Sequence, residues 1–136
     1  MLGISTKADK ADTVLTTTLS RGRATDTYAG TGSFAFGDIV TASGNYSHAE
    51  GYNTNASGAY SHTEGDGTSA SADRSHAEGR DTTATGNQSH AEGYNTTAEG
   101  DSSHTEGDYT TASGNSSHAE GIYTTASGSS AHAEGN

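Results

Sequence analysis

The chain has 136 residues, with 19 glycines, no proline, no cysteine, and a formal charge of −11 at an isoelectric point near 4.7. The acidic balance excludes a phosphate-binding surface, so no nucleic-acid partner is expected and adhesion to an anionic membrane is disfavoured. The lack of cysteine rules out disulfides, thiolate zinc sites and thiol nucleophiles. Leu, Ile, Val and Phe together number ten, too few for an ordinary globular core, and composition alone would point to disorder.

Residues 1–32 form a lead-in. The start, "MLGISTKADK", lacks the roughly 7–15-residue apolar stretch of a signal peptide, so none is expected. No segment is long or apolar enough to span a membrane as a helix, and no membrane insertion is expected. "TKADKADTVLTTTLSRGRATD" mixes charges with the aliphatics Val14, Leu15 and Leu19. It reads as a short helix leading into a strand, or as a junction to a partner.

Residues 33–136 overturn the disorder prior, because they repeat. Histidine occurs at His48, His62, His76, His90, His104, His118 and His132, always 14 residues apart. Two positions on stand Glu50, Glu64, Glu78, Glu92, Glu106, Glu120 and Glu134, each followed by Gly. In the second half of the repeat, Thr54, Thr68, Thr82, Thr96, Thr110 and Thr124 form one column and Ala56, Ala70, Ala84, Ala98, Ala112 and Ala126 another. A third column of Gly58, Gly86, Gly100, Gly114 and Gly128 is broken by Ala72. A fixed period with fixed columns is the mark of stacked units. Each repeat holds two short alternating stretches closed by Gly, which read as two strands and two turns. The fold class expected is all-β: a parallel β-solenoid or β-roll, one 14-residue repeat per rung, rungs about 4.8 Å apart. A helical coiled coil is the poor alternative, because two heptads of this sequence hold no apolar a/d positions and a Gly-rich, Thr-rich chain forms helix weakly.

The first rung, "SFAFGDIVTASGNY", places Phe34 and Phe36 where later rungs have His and Glu, and Val40 and Ala42 where they have Thr and Ala. These substitutions suggest that both sets of columns face inward. The sequence ends one residue into the variable part of a new repeat, as a fragment or an abrupt solenoid end would.

The pattern S-x-A-x-G, a loop, then T/A-x-A-x-G on a 14-residue period resembles the head repeats of trimeric autotransporter adhesins, and related repeats in phage tail fibres and appendages. "SFAFGDIVTASGNY" carries the likeness most fully. The resemblance spans residues 33–136 and implies a left-handed parallel β-roll in which three chains wind into a homotrimeric rod. In that family the two alternating positions of the first strand are usually Val and Ile; here they are His and Glu. The run "KADKADTVLTTTLSRGR" is similar to the lead-in of phage fibre repeats. The implied function is a structural or adhesive fibre segment, on a virion or an extracellular fibre, that displays or supports a receptor-binding region. A host-surface receptor or glycan is the implied partner.

The His and Glu columns are the candidate site. Stacked carboxylates facing inward cannot all stay charged and unpaired. The reading preferred from the residues is a structural polar ladder in which each Glu accepts a hydrogen bond from a His, Glu92 from His90 for example. The ladder fills a narrow core or lines the axis between three chains. One alternative is a metal-stapled rod, with His48, His62, His76, His90, His104, His118 and His132 as candidate ligands and a metal ion as its one cofactor; the other is that both columns face solvent and merely decorate the rod. Ser47, His48 and Glu50 together suggest nucleophile chemistry, but seven equivalent copies read as architecture, and no enzyme activity is expected. Tyr46, Tyr52, Tyr60, Tyr94, Tyr109 and Tyr123 fall near turns, as an outer stripe or as corner packing. A monomeric ice-binding solenoid is a further alternative. The pairs Thr83/Thr85, Thr111/Ser113 and Thr125/Ser127 favour it, and Asn55, Ser69 and Glu99 interrupt it.

Overall fold

Each 14-residue repeat closes one coil, and the coils stack in register. The structure is a computed structural model that describes residues 29–135 and, for its backbone alone, a strand at 19–23. That strand, β1 (Leu19–Arg23), pairs parallel with β2 (Phe34–Ala42). The helix expected in the lead-in lies outside the described residues.

Two parallel ladders make the walls of the solenoid. The first carries the strands that open each repeat: β3 (His48–Tyr52), β5 (His62–Asp66), β7 (His76–Arg80), β9 (His90–Tyr94), β11 (His104–Thr105), β13 (His118–Gly121) and β15 (His132–Gly135). The second carries two-residue strands: β4 (Asn55–Ala56), β6 (Ser69–Ala70), β8 (Thr83–Ala84), β10 (Thr97–Ala98), β12 (Thr111–Ala112) and β14 (Thr125–Ala126). The nine-residue β2 turns the corner and belongs to both, pairing with β3 through its first half and with β4 through Thr41 and Ala42. Every pairing joins residues 14 apart from β2 onward, His62 to His76 and Ala70 to Ala84 for example. A slip of one residue would put every outward side chain inside, so the register is strongly specified.

The interior is made of small residues. Ala35, Ala49, Ala77, Ala91 and Ala119, with Thr63 and Thr105 in the same column, are fully buried on the first wall. Val40 and the Thr54–Thr110 column, with the Ala42–Ala126 column, are buried on the second. Among the described residues the largest fully buried side chain is Val40. A buried methyl contributes only about 0.8 kcal/mol, so the rung-to-rung backbone ladder carries much of the structure. His48 N–H donates to Ser61 O at 2.9 Å, and Asn55 N–H to Thr68 O at 2.9 Å.

Both corners of each coil are left-handed. Asn53 (φ 52°), Asp81 (φ 54°) and Tyr109 (φ 54°) hold one; Tyr60, Arg74 and Gln88 (each φ 59°) hold the other. The cost to a non-glycine residue is about 1–2 kcal/mol. It is offset because the corner amides also pair between rungs, Tyr60 N–H to Asn45 O at 2.8 Å and Asn53 N–H to Asp38 O at 2.9 Å. The lowest described corner begins before the first full rung: Gly30–Gly32 stack beneath Gly44–Tyr46, with Gly30 N–H on Ala42 O at 3.1 Å. The glycine after each Glu has a different reason to be glycine. At Gly79 φ is 104°, and a Cβ would run into the carbonyl oxygen of Gly93.

Candidate functional site

The strand S-H-A-E-G alternates between two sets of side chains, Ser and Ala on one face, His and Glu on the other. The small set is the one that turns inward. His90 keeps 35% and Glu92 32% of its side-chain surface exposed, while Ala91 between them has none. The expectation that the His and Glu columns face inward is therefore corrected for the single coil, and Phe34 and Phe36 change sides with them. Phe36 is 49% exposed. The reason is space and solvation. Walls lined by Ala, Ser and Thr stand too close for imidazoles, and a column of buried carboxylates would lose its hydration. Val40 and Ala42 do face inward, as does the Thr/Ala wall.

On the outer face the imidazoles form one continuous stack. Ring centroids are 4.7 Å apart from His48 to His62, 4.6 Å from His62 to His76, 4.7 Å from His76 to His90 and 4.8 Å from His90 to His104. The stack continues through His118 to His132 at 4.7 and 5.0 Å. Phe34 starts it, edge-on to His48 at 4.8 Å.

The carboxylates run alongside, and their pairing changes along the rod. His48, His62 and His76 face the Glu of their own rung, at 3.4, 3.9 and 3.7 Å from Nε2 to Glu50, Glu64 and Glu78. From His90 upward each faces the rung below: His90–Glu78 at 3.8 Å, and His104–Glu92, His118–Glu106 and His132–Glu120 at 3.4 Å. Glu78 is shared at the changeover, and the partner expected for His90, Glu92, instead faces His104. These separations suit an ion pair only where the histidine is protonated. The Nε2 atoms of His48, His62, His76, His90, His104 and His118 are shut off from water without a hydrogen-bond partner.

Three groups bring one ligand atom from each member within 4.8 Å of one another: Glu78–His90–Glu92, Glu106–His118–Glu120 and Glu120–His132–Glu134. Among the described residues, His48, His62, His76 and His104 join no such group. Burial, with help from the neighbouring His90 and His62, lowers the proton affinity of His76 below the ordinary histidine value. The neighbouring Glu106 and then His132 hold the Glu120 carboxyl below its usual range.

The Ser column is separated from this chemistry by the pleat. Ser47 Oγ donates to Gly44 O at 2.7 Å, and Ser61, Ser75 and Ser89 repeat the bond to Gly58, Ala72 and Gly86. Ser47 is buried while His48 points out, so the two share no face. The tyrosines stack along the corners, Tyr46 on Tyr60 at 5.2 Å and Tyr109 on Tyr123 at 5.0 Å, with Arg74 and Arg80 over Tyr60 and Tyr94. One ladder went unread in the sequence. Thr31, Ala59, Asn87 and Asp101 donate their N–H groups to the side chains of Asn45, Asp73, Asp101 and Asn115 one rung on, at 2.9–3.1 Å. Its signal was the recurrence of Asn or Asp just after the second Gly column.

The family model of the YadA head domain repeat matches residues 77–103, 106–131 and 119–136. Over those residues the rungs are similar to the YadA head repeat. The model falls on stacked coils with their Ala positions inward, and no curated protein matches the chain significantly.

Proposed function

We propose that this chain is a segment of a homotrimeric adhesive fibre, of the bacterial adhesin or phage tail-fibre kind, which holds a receptor-binding region away from the surface that bears it. The observation that carries the reading is the unbroken register from Phe34 to Gly135. A stack that adds about 4.8 Å per rung is a spacer whose length is written in its repeat number. The H-x-E wall is the face given to the neighbouring chains. It occupies the positions where the resembled family carries Val and Ile. It presents Phe36 half exposed, and a groove floored by Gly107, Gly121 and Gly135 runs beside Glu106, Glu120 and Glu134. There the His and Glu columns of three chains form the structural polar ladder: His48/Glu50, His62/Glu64, His76/Glu78, His90/Glu92, His104/Glu106, His118/Glu120 and His132/Glu134. The acidic outer surface keeps rods apart in solution.

Light scattering coupled to gel filtration tests the reading. A particle of three times 13.7 kDa is expected, and a stable monomer would overturn the trimeric rod.

A further inference from the structure

We propose that the outer His/Glu wall takes up divalent transition ions of the zinc class, each ion spanning two successive rungs, at Glu78–His90–Glu92 and at Glu106–His118–Glu120. Both ligand sets lie within one chain, so the inference does not rest on how many chains assemble.

The first argument is distance. His118 Nε2 lies 3.4 Å from Glu106 Oε1 and His90 Nε2 3.8 Å from Glu78 Oε1. These are long for hydrogen bonds. Two ligands held at about 2.0–2.1 Å by a tetrahedral zinc ion stand about 3.4 Å apart, so the His118 pair has the separation of two groups on a shared ion, and the His90 pair needs only a small closure.

The second argument is the ring nitrogen itself. Nε2 of His90 and of His118 makes no hydrogen bond, as at four other histidines of the stack, but here a carboxylate from each of two rungs stands around it. A covered polar atom without a partner is unusual, and an ion bound at the ring nitrogen would satisfy it.

The third is the donor set. One imidazole with a carboxylate from each of two rungs is a two-minus, nitrogen-and-oxygen set, which a divalent borderline ion neutralises. Calcium and magnesium prefer shells made of oxygen alone. Three protein ligands leave the fourth tetrahedral position to water. The triads skip His104, which faces Glu92 alone. A further triad at Glu120–His132–Glu134 shares Glu120 with its neighbour and is more open, so about two ions per chain are expected.

The test uses the untagged full chain after chelator treatment. Calorimetric titration with zinc chloride should show about two ions per chain, with no comparable uptake of calcium chloride. The double variant His90→Ala, His118→Ala should lose zinc affinity by at least about tenfold, whereas His48→Ala, His62→Ala should keep it. Equal zinc binding by the first variant and the wild type, or equal uptake of calcium and zinc, would overturn the proposal and leave only diffuse attraction to an acidic wall. Should the double variant fail to fold, cobalt(II) added to the wild type decides: intense visible bands of a tetrahedral nitrogen–oxygen site support the proposal, and their absence overturns it.

Discussion

The first rung and the second differ on one side only. Inside, Ser33, Ala35, Val40 and Ala42 become Ser47, Ala49, Thr54 and Ala56, and all eight are buried. Outside, Phe34 and Phe36 become His48 and Glu50, an apolar pair exchanged for an ionisable one on the same backbone, with Phe34 paired to His48 and Phe36 to Glu50. The inner positions are held by volume, since each side chain meets an opposing wall of Ala and Thr. The outer positions meet no opposing wall within the coil, which is why two chemistries are accepted there. Beyond the stacking of one rung on the next, seven copies of His and Glu leave a face free for a neighbouring chain or an ion.

The largest expected effect breaks the inner half of that comparison. Ala91 sits in a cluster with Ala77, Ala84 and Ala98, and Ala91→Leu should destabilise the solenoid by about 3 kcal/mol, read as a lower midpoint in denaturant. Gly79→Ala comes next. Its φ of 104° and the Gly93 carbonyl in the path of a Cβ set a cost of about 1–3 kcal/mol. A melt within a few tenths of a kcal/mol of wild type would show that neighbouring rungs can part there.

Acid should act on the outer half. Unfolded, the His76 imidazole takes its proton near 6.5; in the coil, burial and the adjoining His90 and His62 delay that to lower pH. The unfolded chain then binds more protons, so this contribution to stability is complete above about 6.5 and declines as pH falls below it. Glu120, with its lowered carboxyl, adds a loss at lower pH, as that group protonates. Thermal melts from pH 7.5 to 4.5 should show a falling midpoint, and a flat profile would mean the stack tolerates charge.

The smallest effect sharpens the comparison. His90→Val with Glu92→Ile restores an apolar outer pair and should change stability by less than about 1 kcal/mol, because both side chains are surface groups of the coil. A loss of several kcal/mol, measured by denaturant titration, would assign the pair a structural role inside the folded unit.

Much of this was legible in the sequence because a fixed 14-residue period admits few architectures. The columns Thr54–Thr124 and Ala56–Ala126 foretold the second wall, its inward face and its register. The H-x-E wall was legible as a strand but not as a side. S-H-A-E-G alternates whichever set turns in, and Phe34 and Phe36 in the first rung argued for the wrong one. The partner of each histidine was also out of reach. His76 and His90 carry the same neighbours in sequence, yet one faces Glu78 in its own rung and the other faces Glu78 from the rung above.

The sequence by itself determined the repeat, the rung and the parallel stack, because a strict period with invariant Gly and Ala columns is satisfied when identical rungs pair in register. Only the tertiary structure decided which set of side chains on the first wall is core. Two walls brought together by tight left-handed corners leave a gap that Ala, Ser and Thr fill and imidazole does not. The ionisable columns were thereby set on the outside, where a second chain or a metal ion can reach them.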